Sequence, residues 1–194
     1  MRGLLTTLMQ KDDIASITSG INEGLNEQLV AGLSNSARTV FMASIYQKMN
    51  KPLLIITYNL LQAQKLYEDL VHLISDEVFI YPANELTIAD LGISSPELRS
   101  QRIETLNFLN SNKKGVVIAP IAGIRRILPP KAIWAEHIIQ WQLDDEINLE
   151  QSIQKFVQMG YVRSEMVTAP GEFSVRGGII DIYSLTESNP IRIE

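Results

Sequence analysis

The stretch of residues 31–40, AGLSNSARTV, almost forms the phosphate-binding loop of nucleotide-binding proteins. Gly32 opens the pattern and Thr39 closes it, but Ala37 replaces the second glycine and Arg38 replaces the lysine. In a working loop, glycines let backbone N–H groups approach the phosphates, and the lysine ammonium reaches the terminal phosphates. A methyl group and a bulky planar guanidinium serve neither purpose. We therefore predict a degenerate phosphate loop, with no catalytic residue and no bound nucleotide cofactor.

Two other interpretations of this stretch stay open. An active ATPase would use Arg38 in place of lysine, and it would also need an acidic motif at the end of an apolar strand. The nearest candidate for that motif, IIQWQLDDE at 138–146, is interrupted by polar residues. In the simplest interpretation the stretch is a polar turn in which Ser34 or Asn35 caps a helix.

The elements that would position this loop follow from the pattern of apolar residues. Four short, nearly continuous apolar runs are typical of strands buried on both faces of a parallel sheet; they cover residues 27–33, 52–58, 78–82 and 115–121. Helical patterns lie between them, over 36–49, over 60–74 and from the predicted cap Ser95 onward. This alternation predicts a doubly wound α/β domain over residues 1–128, with the phosphate loop between its first strand and first helix.

A second domain is predicted after the double proline at 129–130. Residues 136–147 alternate loosely, like a strand with one exposed face, and Asn148 and Gly160 bound a predicted helix. Four short runs with Gly and Pro between them then predict antiparallel strands: YVRSEMVTA, EFSVRG, GIIDIYS and PIRIE. We expect residues 129–194 to form a small α+β domain that is truncated at its C-terminus.

Composition limits the chemistry of the chain. It has no cysteine and only two histidines, so thiolate sites are excluded and no metal site is predicted. No apolar run is long enough for a membrane span, and we expect a cytoplasmic protein. The net charge is −5, and residues 129–194 carry 5 Lys and Arg against 10 Asp and Glu. This balance is not that of a stand-alone nucleic-acid-binding domain.

Two arginines stand out in the acidic second domain. Arg163 and Arg176 both lie in predicted strands, and a guanidinium fork is suited to binding the carboxylates of a partner. The alternative is that each pairs with a local acid, such as Glu165, Glu172 or Asp181.

Several stretches, in the right order, carry a resemblance to a known family. They are GLNEQLVAGLSNSARTVFMASI, KPLLIITYNLLQAQKLYEDL, SSPELRSQRIETL, VVIAPIAGIRRILPP and, most specifically, GYVRSEMVTAPGEFSVRGGIIDIYSLTESNPIRIE. Together they resemble the N-terminal region of the bacterial transcription-repair coupling factor (Mfd) family, which is similar to the excision-repair subunit UvrB. The resemblance covers nearly the whole chain but only the front of a far longer family protein.

The resemblance implies a fold and a function. It implies that residues 1–128 form a degenerate helicase-like domain, derived from a RecA-like P-loop domain, and that residues 129–194 form a UvrA-binding domain. In the family, ATP and magnesium serve motor domains further along the chain, which translocate on double-stranded DNA and displace a stalled RNA polymerase. The fragment would recruit UvrA and would not itself be an enzyme.

The resemblance also suggests site residues. Arg163 and Arg176 occupy positions whose arginines meet acidic residues of UvrA in UvrB-like relatives, whereas a further arginine there is Ser174 here. Phe173 is a candidate interface aromatic, with a core position as its alternative. The alternative identity is an ATP-dependent UvrB-type subunit of the excision nuclease. The degenerate loop argues against it, as does the region 81–97, which has Tyr81 but lacks the tyrosine-rich hairpin of UvrB.

Overall fold

The computed structural model describes residues 5–7, 10–74, 78–83, 96–111, 113–125 and 127–194. The helices are numbered α1 (Asp12–Asn22), α2 (Asn35–Met49), α3 (Leu60–Ile74), α4 (Pro96–Asn110), α5 (Ile121–Ile124), α6 (Lys131–Glu136) and α7 (Leu149–Gln158). The strands are β1 (Leu53–Thr57), β2 (Val78–Ile80), β3 (Val116–Pro120), β4 (Val162–Arg163), β5 (Glu172–Arg176), β6 (Ile179–Ile182) and β7 (Ile191–Ile193). The chain divides into two compact units, Met1–Gly92 with Glu104–Arg126, and Ile93–Ile103 with Ile127–Glu194.

The first unit is built on a parallel sheet in the order β1–β3–β2. All five residues of the central strand β3 are buried, because its two faces pack against different helices. Val116 and Ile118 join a cluster with side chains of α2 and α3, whereas Val117 and Ala119 pack with Leu106 and Phe108 of α4. Burial on both faces explains why the strand is a continuous apolar run. The predicted strands at 52–58, 78–82 and 115–121 and the helices over 36–49 and 60–74 are confirmed.

The strand predicted over residues 27–33 is wrong, since the structure assigns no strand to this segment. Leu29 is 92% exposed, and the Gln28 amide donates a hydrogen bond of 3.1 Å to the carbonyl of Ile17 in α1. An apolar run becomes a strand only where a neighbour satisfies its backbone hydrogen bonds. Among the described residues no strand pairs with this segment, so α2 follows α1 through irregular chain.

The second unit contains a mixed sheet in the order β4–β5–β6–β7. β5, β6 and β7 are antiparallel, as predicted, but β4 runs parallel to β5, which corrects the expectation of hairpins throughout. Gly177 and Gly178 form the two-residue turn between β5 and β6, and Gly177 has a φ of +62°, which favours glycine. The fold is therefore a parallel three-stranded sheet with helices and a separate mixed sheet, while its descent from a P-loop domain stays a prediction.

The strand predicted over residues 136–147 is also wrong. Helix α6 ends at Glu136, and the rest of the segment is irregular chain with a turn closed by Asp145, whose carboxylate accepts from the Gln142 N–H at 2.7 Å. Ile139 and Trp141 still pack against the core around Phe156, which accounts for the alternating pattern without a strand. The predicted cap of Ser95 and most of the region compared with the UvrB hairpin lie outside the described residues.

No helix in the parts of the chain that the structure describes has the length and apolar character needed to cross a membrane.

Candidate functional site

The residues of the degenerate phosphate loop lie at the start of α2. Gly32 has a φ of +82°, and Ser34 occupies the N-cap position in an extended conformation. Ser34 is thus the N-cap residue, as one interpretation of the sequence predicted, but its side chain makes no capping hydrogen bond. Ala37 and Arg38 are exposed on the first turn of the helix.

Thr39, the residue that would hold a metal ion in a working loop, is turned into the first unit. It is 2% exposed, and its hydroxyl donates a 3.4 Å hydrogen bond to the carboxylate of Asp69 in α3. The preceding segment is not a strand, so the strand–loop–helix arrangement that aims backbone N–H groups at phosphates is lacking. The residues present at this position therefore do not fit a nucleotide with its magnesium ion.

Phe173 on β5 occupies the core of the second unit. It is fully buried, and its ring centroid lies 5.3 Å from that of Phe156 on α7. The rings of Trp141 and Tyr161 also contact Phe156 at 5.9 Å, so four aromatic residues hold α7 on one face of the sheet. Phe173 has no exposed surface with which to contact a partner. Its position is that of a core residue, which was the alternative to the predicted interface aromatic.

Arg163 lies on the edge strand β4 and is exposed. The register places it beside Phe173, and residues side by side in a sheet project to the same face. Arg163 therefore projects on the face that α7 covers, at its open edge. Its guanidinium makes no hydrogen bond or ion pair with any residue that the structure describes.

Arg176 projects to the opposite face. Side chains alternate along β5, so Arg176 shares its face with Glu172 and Ser174 and not with Phe173. One guanidinium nitrogen, Nη2, donates to the backbone carbonyl of Glu165 at 2.6 Å, and the buried Ser174 hydroxyl donates to the same oxygen at 3.1 Å. The structure thus places the two arginines on opposite faces of the sheet, with Arg163 level with Phe173 and Arg176 at the end of β5.

The local acids proposed as alternative partners are engaged elsewhere. Asp181 on β6 accepts two hydrogen bonds from Arg192, at 2.7 and 3.0 Å, and this interaction holds the pKa of Asp181 below its ordinary value. The same hydrogen bonds raise the pKa of Arg192. Glu165 accepts the hydrogen bond of Arg176 with its backbone carbonyl and not with its carboxylate.

Glu172 binds the loop that joins β4 to β5. Its carboxylate accepts from the backbone N–H groups of Thr168 and Ala169 at 2.8 and 3.0 Å and from the Thr168 hydroxyl at 3.2 Å. The backbone hydrogen bond from Thr168 is the largest cause that lowers the pKa of Glu172, followed by the one from Ala169. Neither Arg163 nor Arg176 therefore forms an ion pair with a carboxylate among the described residues, although the charge of Arg176 also helps to lower the pKa of Asp181.

Sequence reasoning missed the role of the loop itself. Residues 164–171 were predicted to belong largely to a strand, yet they connect two parallel strands across one face of the sheet. The signal was the Pro170-Gly171 pair immediately before Glu172, because such a pair marks a turn and an acid beside a turn can accept its backbone N–H groups.

No group of three or more His, Cys, Asp and Glu side chains that could hold a metal ion occurs within the described ranges.

Comparison with known proteins matches both parts of the chain. Residues 139–194 match the family described as the UvrB interaction domain. The whole chain is 48% identical, over 195 aligned positions, to a transcription-repair-coupling factor of Bacillus subtilis (strain 168). Over 98% of its length it is 40% identical to the protein of that name from Staphylococcus aureus (strain USA300), and over 86% it is 42% identical to that of Staphylococcus haemolyticus. The chain spans 17%, 16% and 14% of the length of these relatives.

Proposed function

Because this chain belongs to the transcription-repair-coupling factor family, we propose that it is the N-terminal, UvrB-like module with which such a factor recruits UvrA. The recruiting part is the second unit, which contains the residues that match the UvrB interaction domain. Recruitment brings the damage-recognition protein to the lesion at which RNA polymerase has stalled, in transcription-coupled nucleotide excision repair.

One observation carries the assignment of the surface. In the second unit, neither Arg163 nor Arg176 forms an ion pair with a carboxylate of the described chain. Arginine binds carboxylates with paired, directional hydrogen bonds, so two unpaired guanidinium groups favour an acidic protein surface as the ligand. Ser174 stands where UvrB-like relatives have an arginine, but it does not replace that arginine at the surface. Its hydroxyl is buried and donates a hydrogen bond to the Glu165 carbonyl.

The remaining activities are proposed for the whole protein, of which this chain is a small part. Motor domains outside this chain would bind ATP and magnesium, translocate along double-stranded DNA and displace the stalled RNA polymerase. The chain itself would act as a binding module and not as an enzyme, which is supported by the exposed Arg38 and the inward-facing Thr39. The place of action is the bacterial cytoplasm, where DNA and RNA polymerase are found.

The test is the affinity of the 194-residue chain for purified UvrA. Arg163→Ala and Arg176→Ala should each weaken binding about tenfold or more if the pair is desolvated, because truncating one partner of a buried charge pair leaves the other unpaired. Arg38→Ala is the matched control, because Arg38 is an exposed arginine of the first unit. Circular dichroism must show that each variant is folded. Unchanged affinity of the folded Arg163→Ala, Arg176→Ala double variant would place the UvrA-binding surface elsewhere.

A further inference from the structure

The loop of residues 164–171, named the β4–β5 loop, exposes an apolar side chain next to the residue whose carbonyl binds Arg176. Met166 in this loop is 68% exposed. Val162, which precedes the loop on β4, is 64% exposed, and its register beside Glu172 places it on the Arg176 face of the sheet. Two exposed apolar side chains thus lie on the same face as a guanidinium that forms no ion pair among the described residues.

This loop is held in place although it is exposed. At its far end the Glu172 carboxylate accepts three hydrogen bonds from Thr168 and Ala169. Near its start the Ser164 hydroxyl donates to the Met166 carbonyl at 3.0 Å. A loop that is held in one conformation before binding loses less conformational entropy when a partner binds. Such a loop is preorganised for binding.

The near end of the loop is connected to the arginine. The Glu165 carbonyl accepts from Ser174 and from Nη2 of Arg176. The position of the loop therefore sets the direction of the guanidinium, and the remaining N–H groups of Arg176 stay available to a partner.

We infer that the β4–β5 loop is the apolar half of the surface that binds UvrA, with Met166 as its contact residue and Glu172 as its positioning residue. This inference rests on the proposed function. The occupant is an acidic protein surface with an apolar side chain beside its carboxylates, since Arg176 supplies positive charge and Met166 an adaptable apolar contact. Glu172 does not touch the partner but keeps the loop, and through it the guanidinium, in the binding conformation.

The first arm of the experiment measures UvrA affinity for Met166 variants of the 194-residue chain at several salt concentrations. Met166→Ala should weaken binding about fivefold or more, as expected of a central apolar contact, and Met166→Glu should weaken it further by repelling an acidic partner. Met166→Ala should leave the salt dependence of binding unchanged, whereas Arg176→Ala should reduce it. Ile191→Ala is the matched control, because Ile191 is 46% exposed on β7, which is the edge strand farthest from β4 in the sheet.

The second arm separates positioning from contact. Glu172→Ala removes the acceptor of the Thr168 and Ala169 N–H groups, so amide exchange at these residues should accelerate and UvrA affinity should fall. Glu172→Gln keeps a side-chain oxygen as acceptor, so it should restore slow exchange and most of the affinity. A direct charge contact with UvrA would respond differently, because Gln would then bind as poorly as Ala.

The outcomes distinguish this inference from the function on which it rests. A parent chain that fails to bind UvrA would overturn both. Binding that is lost in the arginine variants but unchanged in folded Met166→Glu would overturn the loop alone. Self-association or duplex DNA binding that depends on Met166, with UvrA affinity unchanged, would assign the loop to another ligand and overturn the inference.

Discussion

Several residues in this chain have a role different from the one that their sequence context suggests, because they form hydrogen bonds with other partners. Thr39 completes the pattern of a phosphate loop, yet its hydroxyl contacts Asp69 within the first unit. Asp181 and Glu172 are suited to pair with Arg163 and Arg176, yet they bind Arg192 and the β4–β5 loop. In both cases the partner of a side chain determines its role.

A prediction at this scale concerns nucleotide binding. The parent chain should show no ATP binding by calorimetry with magnesium present, because Thr39 is buried and the described segment that leads into the loop is not a strand. The double variant Ala37→Gly, Arg38→Lys restores the motif but should still not bind, since it changes neither feature. Micromolar binding by the parent that disappears with Arg38→Ala would contradict this prediction.

A second residue-scale prediction concerns acid. The pKa of Glu172 is lowered from its ordinary value of 4.5, so its stabilising hydrogen bonds are fully present above that value. They are lost as the pH falls through the lowered pKa of the folded state. NMR signals of the Thr168 and Ala169 amides should therefore stay constant from neutral pH to about pH 5 and shift on further acidification. Glu172→Gln should remove this titration, and an unchanged titration in that variant would show that another group causes it.

At the scale of elements, α7 is defined both by its cap and by its apolar face. The Asn148 side chain accepts from the Gln151 N–H at 3.0 Å, as the sequence predicts, and Gly160 follows the helix with a φ of +87°. Phe156 is 1% exposed and anchors the helix to the sheet. The cap, the terminal glycine and the buried aromatic side chain are therefore all consistent with a helix over the same residues.

Asn148→Ala should lower the stability of the second unit by about 1 kcal/mol, because the Gln151 N–H loses its acceptor. Asn148→Asp keeps an acceptor and adds a negative charge at the helix N-terminus, so it should cost little or stabilise. Denaturation followed by tryptophan fluorescence reports on this unit, since Trp134 and Trp141 both belong to it. Equal stability of the parent and Asn148→Ala would show that the cap contributes nothing.

At the scale of the whole molecule, charge separates protein recognition from nucleic-acid recognition. The chain carries a net charge of −5, and its second part carries 5 basic against 10 acidic side chains. Unpaired guanidinium groups on an acidic background can bind a specific acidic protein surface, but they do not form the extended positive surface that duplex DNA requires.

The 194-residue chain should therefore bind duplex DNA weakly and without lesion preference at physiological salt, with binding increasing only at low salt. A gel-shift assay with intact and damaged duplexes measures this. Tight, lesion-selective binding at physiological salt would reveal a nucleic-acid surface that the charge distribution does not indicate.

The sequence by itself determined the elements that local physics controls. Nearly continuous apolar runs predicted β1, β2 and β3, helical spacing predicted α2 and α3, and the Asn148 cap with Gly160 predicted α7. The specific motifs of the C-terminal stretch also carried the family resemblance. These signals succeed because strand burial, helix periodicity and capping depend on residues close together in the chain.

Only the tertiary structure decided what long-range contacts control. The apolar run at 27–33 and the loosely alternating segment at 136–147 have the patterns of strands, but no neighbour pairs with them among the described residues. The opposite faces of Arg163 and Arg176 follow from the parallel pairing of β4 with β5, since a shift of one residue would reverse either side chain. The β4–β5 loop depends on Glu172, Ser174 and Arg176 meeting it across the sheet, because hydrogen-bond partners are set by proximity in space and not by spacing along the chain.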